Sequence, residues 1–276
     1  MKAKEIPTSI YHTVRLLAIP SKKLANQQRQ SLPIIISLTS IPSRLRTLHI
    51  VIRSLLTQKE LPKRIVLWLH SDLKESLPPA LTALEGSIFQ IKYSPLTCSH
   101  RKLIHALEAF PNDIVITCDD DMIYRDNWTQ RLYAEHLAKP HAILANQTRY
   151  LQLDGEGNAI PYREWVYRQG APFYQERVVP IGAGGVLYPP RSLDSQCTDS
   201  KLFLELAPKA DDLWFKTMAL LKGTLSYQVP NAPKPPIPIF GSQRESLKKT
   251  NIAGEGNQLQ WRALSNYFDL PAKLKH

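Results

Sequence analysis

Three consecutive aspartates follow a short apolar run near the middle of the chain. Asp119, Asp120 and Asp121 come directly after residues 114–118, which read Ile-Val-Ile-Thr-Cys. An apolar run of this length predicts a buried parallel strand, and ligands of open α/β sheets bind at the carboxyl ends of such strands. In an extended segment, Asp119 and Asp121 share one face while Asp120 points away. Two carboxylates on one face suit a hard divalent cation that also binds the phosphates of a nucleoside diphosphate; the alternative is an exposed turn that caps the next helix.

A second acidic pair and a glycine-rich segment lie later in the chain. Asp211 and Asp212 open a predicted helix, and capping explains one of these carboxylates but not obviously both. Residues 182–185 read Gly-Ala-Gly-Gly and lack the spacing of a dinucleotide fingerprint. The segment is either a plain hairpin turn or a place where the backbone closely approaches a substrate.

One basic run also lies at the predicted ligand edge of the sheet. Residues 99–102 read Ser-His-Arg-Lys and open a predicted helix. Because helix starts can hold phosphate, Lys102 is a candidate phosphate contact, and a solvated helix start is the alternative. Residues 39–44, Thr-Ser-Ile-Pro-Ser-Arg, read by themselves as a strand-to-helix turn capped by Ser43.

The elements that must position these residues alternate between strand and helix. Before the aspartates, strands are predicted at 34–39, 64–69 and 88–93, and helices at 44–57 and 101–110. Such alternation with short connections predicts a parallel, right-handed, doubly wound α/β sheet. After the aspartates, helices at 128–137 and 211–221 and short strands at 142–144 and 224–229 predict a mixed, loop-rich half.

The predicted domain organisation has three parts. A catalytic domain spans 31–230, with a nucleotide half at about 31–125 and an acceptor half at about 126–230. Residues 1–30 form an N-terminal appendage with a possible amphipathic stretch around Ile10, Val14, Leu16 and Leu17. Residues 231–276 comprise a proline-rich segment and a last helix.

Composition limits the class of protein. A chain of 276 residues that is 43% hydrophobic can bury a core, and no apolar run approaches the roughly 20 residues that span a bilayer. The polar start lacks the apolar core of a signal peptide. Three cysteines without metal-site spacing make a disulfide framework improbable, so we expect a reducing cytoplasm.

The chain is strongly basic. Its formal net charge is +11, and the positive charge is concentrated toward both ends. The basic ends are either solvated surface or a contact with anionic lipid on the inner face of the cytoplasmic membrane. No nucleic-acid partner is expected, because the acidic triplet would repel phosphates unless a metal intervened.

Four features in order resemble the GT-A glycosyltransferases. They are residues 39–44 after the first strand, residues 54–58 (Ser-Leu-Leu-Thr-Gln) ending the next helix, the aspartate triplet, and the acidic pair at 211–212. Over about residues 33–222 the chain is similar to bacterial enzymes that build capsule, lipopolysaccharide or other surface glycans. The resemblance implies a Rossmann-like GT-A fold and metal-dependent transfer of a sugar from a nucleoside diphosphate to a glycan or lipid-linked acceptor.

The resemblance also implies roles for the acidic residues. Asp119 and Asp121 would hold Mn²⁺ or Mg²⁺ against the donor diphosphate, and Asp120 would face the ribose or sugar. As in inverting relatives, Asp212 would be the general base, with Asp211 as its neighbour and fallback. The chain departs from the pattern in one respect, since the only histidine after Asp212 is His276. The diphosphate and waters, Asn251 or another residue would then complete the metal shell.

Further implied contacts lie on the donor and acceptor sides. The nucleotide pocket would comprise Thr39, Ser40, Pro42, Arg44 and Asp72. Asp72 follows a serine where the family usually has paired acidic residues. The glycine-rich segment, with Gly184 and Gly185, would form the wall on the acceptor side.

Two other functions compete with this interpretation. A sugar-nucleotide pyrophosphorylase needs a glycine-rich, lysine-bearing loop after the first strand, and residues 39–44 contain no glycine. A basic nucleic-acid-binding protein without enzymatic activity would explain the charge but not the acidic clusters.

Overall fold

A computed structural model describes residues 3–27, 31–156, 158–165, 174–230, 232–242 and 256–274. The helices in these ranges are α1 (Ile6–Leu17), α2 (Ser21–Ala25), α3 (Leu45–Leu56), α4 (Pro79–Thr82), α5 (Arg101–Ala109), α6 (Trp128–Ala138), α7 (Ser200–Leu206), α8 (Asp211–Lys222), α9 (Gly256–Phe268) and α10 (Leu270–Leu274). The strands are β1 (Ser31–Thr39), β2 (Leu61–His70), β3 (Phe89–Ser94), β4 (Ile114–Thr117), β5 (Met122–Ile123), β6 (Ile143–Ala145), β7 (Thr148–Tyr150), β8 (Val178–Pro180), β9 (Val186–Tyr188), β10 (Ser226–Gln228) and β11 (Ile237–Pro238).

Seven strands form the central sheet in the order β10-β6-β9-β4-β1-β2-β3. β1 pairs in parallel with β2 and β4, and β2 pairs in parallel with β3. β9 is antiparallel to both β4 and β6. The prediction of an α/β fold with a mostly parallel sheet is confirmed, although the antiparallel β9 was not predicted.

The strand order reverses between β1 and β4. β2 and β3 extend the sheet on one side of β1, whereas β4 lies on the other side. Connections that leave in opposite directions open a crevice at the carboxyl ends of the two strands, where ligands of such sheets bind. Residues that follow Thr39 and Thr117 are therefore placed at the mouth of one crevice.

Alternation along β1 distributes apolar side chains to both faces of the sheet. Ile34, Ile36 and Leu38 pack in the cluster that contains the buried face of α3. Ile35 points to the opposite face, where it packs with Val66 and Trp68. A second large cluster joins α5, α8 and α9 beside the sheet.

Both ends of the chain pack against this core. The Arg53 guanidinium on α3 donates hydrogen bonds to the carbonyl oxygens of Leu16 and Ile19, at 3.1 and 2.6 Å. Near the other end, the Trp261 ring on α9 meets the Trp165 ring edge to face, with centroids 5.3 Å apart. No helix in the described ranges is both long and apolar enough to cross a membrane.

Candidate active site

A buried lysine connects the acidic turn after β4 to the start of α8. Lys102 Nζ lies 3.2 Å from Asp119 Oδ1 and 3.0 Å from Asp211 Oδ2. Burial opposes the charged form of this lysine, but its two carboxylate partners outweigh burial and hold the pKa of Lys102 well above its ordinary value. Lys102 therefore carries a permanent positive charge between the two predicted acidic motifs.

Asp212 faces the glycine-rich segment. Its carboxylate accepts hydrogen bonds from the Gly182 amide, at 3.1 and 3.3 Å. A Cβ on Gly182 would lie 3.0 Å from Lys102 Nζ, 3.2 Å from Asp212 Oδ1 and 3.5 Å from Asp119 Oδ1. Three ionisable side chains thus surround one glycine, and any side chain there would enter the site.

The pKa values of the two aspartates at the start of α8 shift in opposite directions. Burial alone would raise the pKa of Asp211, but the Lys102 ammonium holds it below the usual value. Burial, together with the charge of Asp211, raises the pKa of Asp212 well above the usual range of a carboxyl group. Because the two pKa values move apart, Asp211 stays negatively charged and Asp212 is able to take up a proton.

The aspartate triplet is not extended. β4 ends at Thr117, and Asp120 and Asp121 lie in a turn. Arg44 pairs with Asp120 through one guanidinium nitrogen and lies 3.2 Å from Asp121 Oδ2 through the other. The predicted alternation of faces is wrong, because Asp120 and Asp121 share Arg44 while Asp119 meets Lys102.

Polar groups at the end of β1 are largely engaged within the protein. The Ser40 hydroxyl donates to Asp120, and the Thr39 hydroxyl donates to the Trp68 carbonyl at 2.8 Å. The buried Arg101, which sequence reasoning did not select, donates to the Thr39 hydroxyl and to the Ser40 carbonyl. Arg101 adjoins Lys102 in the basic run at 99–102, and this position was the only signal for it in the sequence.

Other predicted donor-side residues are less central. Pro42 opens the 3₁₀ turn Pro42–Arg44, which leads Arg44 toward the acidic turn. Asp72 lies in an exposed turn after β2, and its carboxylate is 3.4 Å from His70 Nδ1 on the adjoining strand. The side chain nearest to this carboxylate is thus a neighbour in sequence rather than a member of the Lys102 cluster.

Gly184 and Gly185 lie behind the site rather than on its charged surface. The Gly184 carbonyl accepts hydrogen bonds from Trp128 Nε1 and Asn146 Nδ2, at 2.8 and 3.0 Å. Gly185 has φ +92°, and a Cβ there would lie 2.3 Å from Trp128 Cζ2. Of the glycine-rich segment, Gly182 is the residue that meets the carboxylates.

The carboxylates of the turn differ in what they could offer a metal. The Asp119 side chain is 32% exposed, whereas that of Asp121 is 9% exposed beside Arg44. Within the described ranges, no group of three or more His, Cys, Asp or Glu side chains is arranged to hold a metal ion; Asn251 lies outside these ranges. The oxygen-only donor set fits a cation that takes one or two carboxylates and completes its shell with substrate phosphates and water, as Mg²⁺ does.

Comparison with known proteins shows only distant likeness. No protein-family model matches the chain, and no curated protein sequence matches it. A 4-diphosphocytidyl-2C-methyl-D-erythritol synthase from Anaerococcus prevotii DSM 20548 has a TM-score of 0.46 and 13% identity, covering 84% of this chain and 96% of that one. The structure of S. aureus TarS 1-349 has a TM-score of 0.46 and 14% identity, covering 74% of this chain and 59% of that one. Similarity at this level assigns neither reaction nor substrate, so function must rest on the site itself.

Proposed function

We propose that the chain is a glycosyltransferase that moves a sugar from a nucleoside diphosphate to an acceptor hydroxyl and inverts the anomeric centre. The observation that carries this proposal is the convergence of Lys102, Asp119 and Asp212 on Gly182 at the crevice between β1 and β4. We extend it to a glycan or lipid-linked acceptor in bacterial surface polysaccharide synthesis, on the resemblance of the four sequence features.

Lys102 and Arg44 supply positive charge on the donor side, but the carboxylates they contact outnumber them, so a diphosphate would also need a cation. Lys102 and Arg44 flank the acidic turn from two different elements, and each is held in place by carboxylates. A Mn²⁺ or Mg²⁺ ion held by Asp119 and Asp121 would add Lewis-acid stabilisation of the leaving diphosphate. Lys102 adds positive charge that is already oriented before the substrate binds.

Asp212 would act as the general base. The acceptor hydroxyl gives its proton to the Asp212 carboxylate as its oxygen forms a bond to the anomeric carbon. The bond between that carbon and the phosphate oxygen breaks, and its electron pair leaves with the nucleoside diphosphate. Attack from the face opposite the leaving group inverts the anomeric centre.

Neighbouring groups position this base. The Gly182 amide fixes the Asp212 carboxylate by donating to both of its oxygens. Asp211 keeps its charge through Lys102, and burial together with that nearby negative charge raises the pKa of Asp212. The pair therefore works as one base and one fixed electrostatic neighbour.

A nucleotide-sugar screen tests the proposal. Purified protein is incubated with individual nucleotide sugars and Mn²⁺, and products are identified by mass spectrometry. We expect release of nucleoside diphosphate, with turnover lowered about 10²-fold or more by Asp212→Asn and donor binding nearly unchanged. Asp211→Asn should be milder.

The matched control is Asp199→Asn. Asp199 also precedes a helix, where its side chain accepts hydrogen bonds from the Lys201 and Leu202 amides, and asparagine can cap equally well. This variant should keep wild-type turnover. Formation of a nucleoside triphosphate when pyrophosphate is added with the nucleotide sugar would instead indicate nucleotidyl transfer, and salt-dependent nucleic-acid retention with no turnover would indicate a binding protein.

A further inference from the structure

A basic cavity lies between α1, the start of α6 and the segment before β11. Its volume of about 410 Å³ is typical of a small-molecule pocket. Four cationic residues line it, and they come from four places in the chain: Arg15 on α1, Arg125 after β5, Arg131 on α6 and Lys234 before β11. The fold therefore gathers positive charges that are far apart in sequence around one concave space.

Protein carboxylates do not neutralise the charge of this cavity. Asp126 is the one carboxylate among the described lining residues, and its ion-pair partner is Lys59, 3.8 Å away and outside the lining. Arg15, Arg125 and Lys234 take part in none of the ion pairs in the described part of the chain. Like charges around one concavity repel one another, and a bound anion would offset this repulsion.

Two further observations point to a ligand in the cavity. The Nε atom of Arg125 is buried and has no hydrogen-bond partner in the described ranges, so this guanidinium keeps a donor that the fold does not use. Burial lowers the pKa of His12, another lining residue, and the charges of Arg15 and Arg125 lower it further. The lining thus presents a positive field to a side chain on its own wall.

We propose that this cavity binds a phosphate group, carried either by a soluble molecule or by a lipid headgroup. Guanidinium groups donate paired hydrogen bonds to phosphate oxygens, and a lysine adds a point charge. A phosphate dianion would offset more of the unpaired positive charge than a carboxylate would.

The cavity is separate from the proposed donor site. Among the described residues, its lining includes neither Arg44 nor Lys102, and none of the four aspartates that these two side chains contact. The inference therefore does not depend on the sugar transfer proposed above.

Titration of the full chain with inorganic phosphate tests the site. The titration contains EDTA and no nucleotide sugar, and chloride holds the ionic strength constant, so neither the metal nor the reaction contributes. We expect saturable binding and a rise in the thermal unfolding temperature, because the ligand binds the folded state. Proton NMR should show that phosphate raises the pKa of His12, with His12→Gln to assign the signal.

Substitutions in the lining locate the bound phosphate. Arg15→Gln with Lys234→Gln should weaken binding about tenfold or more without lowering the unfolding temperature of the free protein, since neither side chain has an ion-pair partner to lose. Arg125→Gln should also weaken binding. The matched control is Lys201→Gln with Lys222→Gln, which removes the same charge from exposed positions on α7 and α8 outside the lining. This control should bind phosphate like the wild type.

Vesicle flotation distinguishes the two sources of phosphate. Recovery with phosphatidylcholine vesicles that contain phosphatidic acid, but not with phosphatidylcholine alone, would identify a lipid headgroup if inorganic phosphate displaces the protein. Phosphate binding without recovery in flotation would identify a soluble ligand.

Three outcomes would overturn the proposal. They are no saturable phosphate binding, binding that the lining variants leave unchanged, and equal weakening in the control pair. The second would place the anion elsewhere, and the third would show a response to net charge alone. Because no nucleotide sugar is present, none of these outcomes counts against the proposed sugar transfer.

Discussion

Asp212 gives the proposed reaction its pH dependence. Burial and the charge of Asp211 raise its pKa, so Asp212 keeps its proton at pH values where an exposed aspartate has lost it. A general base must be unprotonated, so kcat/KM should fall as the pH is lowered through this raised pKa. The inflection should lie well above the value of about 4 for an exposed carboxyl group. A pH–rate profile measures it, with Asp199→Asn as the control; a profile that stays flat down to about pH 4 would argue against Asp212 as the base.

The proposed metal ligands Asp119 and Asp121 predict that the reaction depends on a divalent cation. EDTA should abolish transfer and Mn²⁺ or Mg²⁺ should restore it, because the cation would neutralise charge on the leaving diphosphate. Asp121→Asn should lose activity while the protein stays folded, as judged by circular dichroism. Full activity in chelator would exclude the metal and leave Lys102 and Arg44 as the positive charges at the diphosphate.

At the scale of single elements, Gly185 fixes how β9 joins the glycine-rich segment. Gly185→Ala would impose both an unfavourable positive φ and a collision with Trp128. Gly223 also has positive φ, +78°, but a Cβ there meets nothing within 4 Å. We expect Gly223→Ala to cost about 1 kcal/mol of unfolding free energy and Gly185→Ala about 2–4 kcal/mol.

Chemical denaturation of both variants measures the difference. The excess cost in Gly185→Ala reports the Trp128 contact together with a larger backbone cost, because Gly185 has ψ 136° whereas Gly223, with ψ 18°, is in the left-handed helical region. Equal costs would show that Trp128 moves away and that this packing does not fix the segment.

The long periodic elements could be predicted from sequence, but the short ones could not. β1, α3 and α8 follow from apolar spacing and end within a few residues of the predicted positions. β9 has three residues and no readable period, and its position comes from pairing with β4 and β6. The turn at Asp120 and Asp121 was not predicted, because nothing in the apolar run before it indicates that the strand stops at Thr117.

The candidate site could also be predicted only in part. Residue types indicated that the acidic motifs and Lys102 belong to one ligand edge, because the carboxyl ends of parallel strands meet there. The pairing of Lys102 with both Asp119 and Asp211 depends on how α5 and α8 pack, which no local pattern encodes. That Gly182, rather than Gly184 or Gly185, contacts the carboxylates also depends on this packing and could not be read from the sequence.

At the scale of the whole molecule, the two signs of charge are unevenly distributed. The chain carries a formal net charge of +11, yet negative side chains concentrate at the crevice beyond β1 and β4. Lys102 and Arg44 offset part of this negative charge within the fold.

The anomeric configuration of the product tests the central claim most directly. Once a donor sugar is known, proton NMR of the newly formed glycosidic bond compares its configuration with that of the nucleotide sugar. A base at Asp212 that activates the acceptor hydroxyl predicts inversion, because the hydroxyl attacks from the face opposite the diphosphate. Retention of configuration would contradict this role and leave Asp212 at most a residue that orients the substrate.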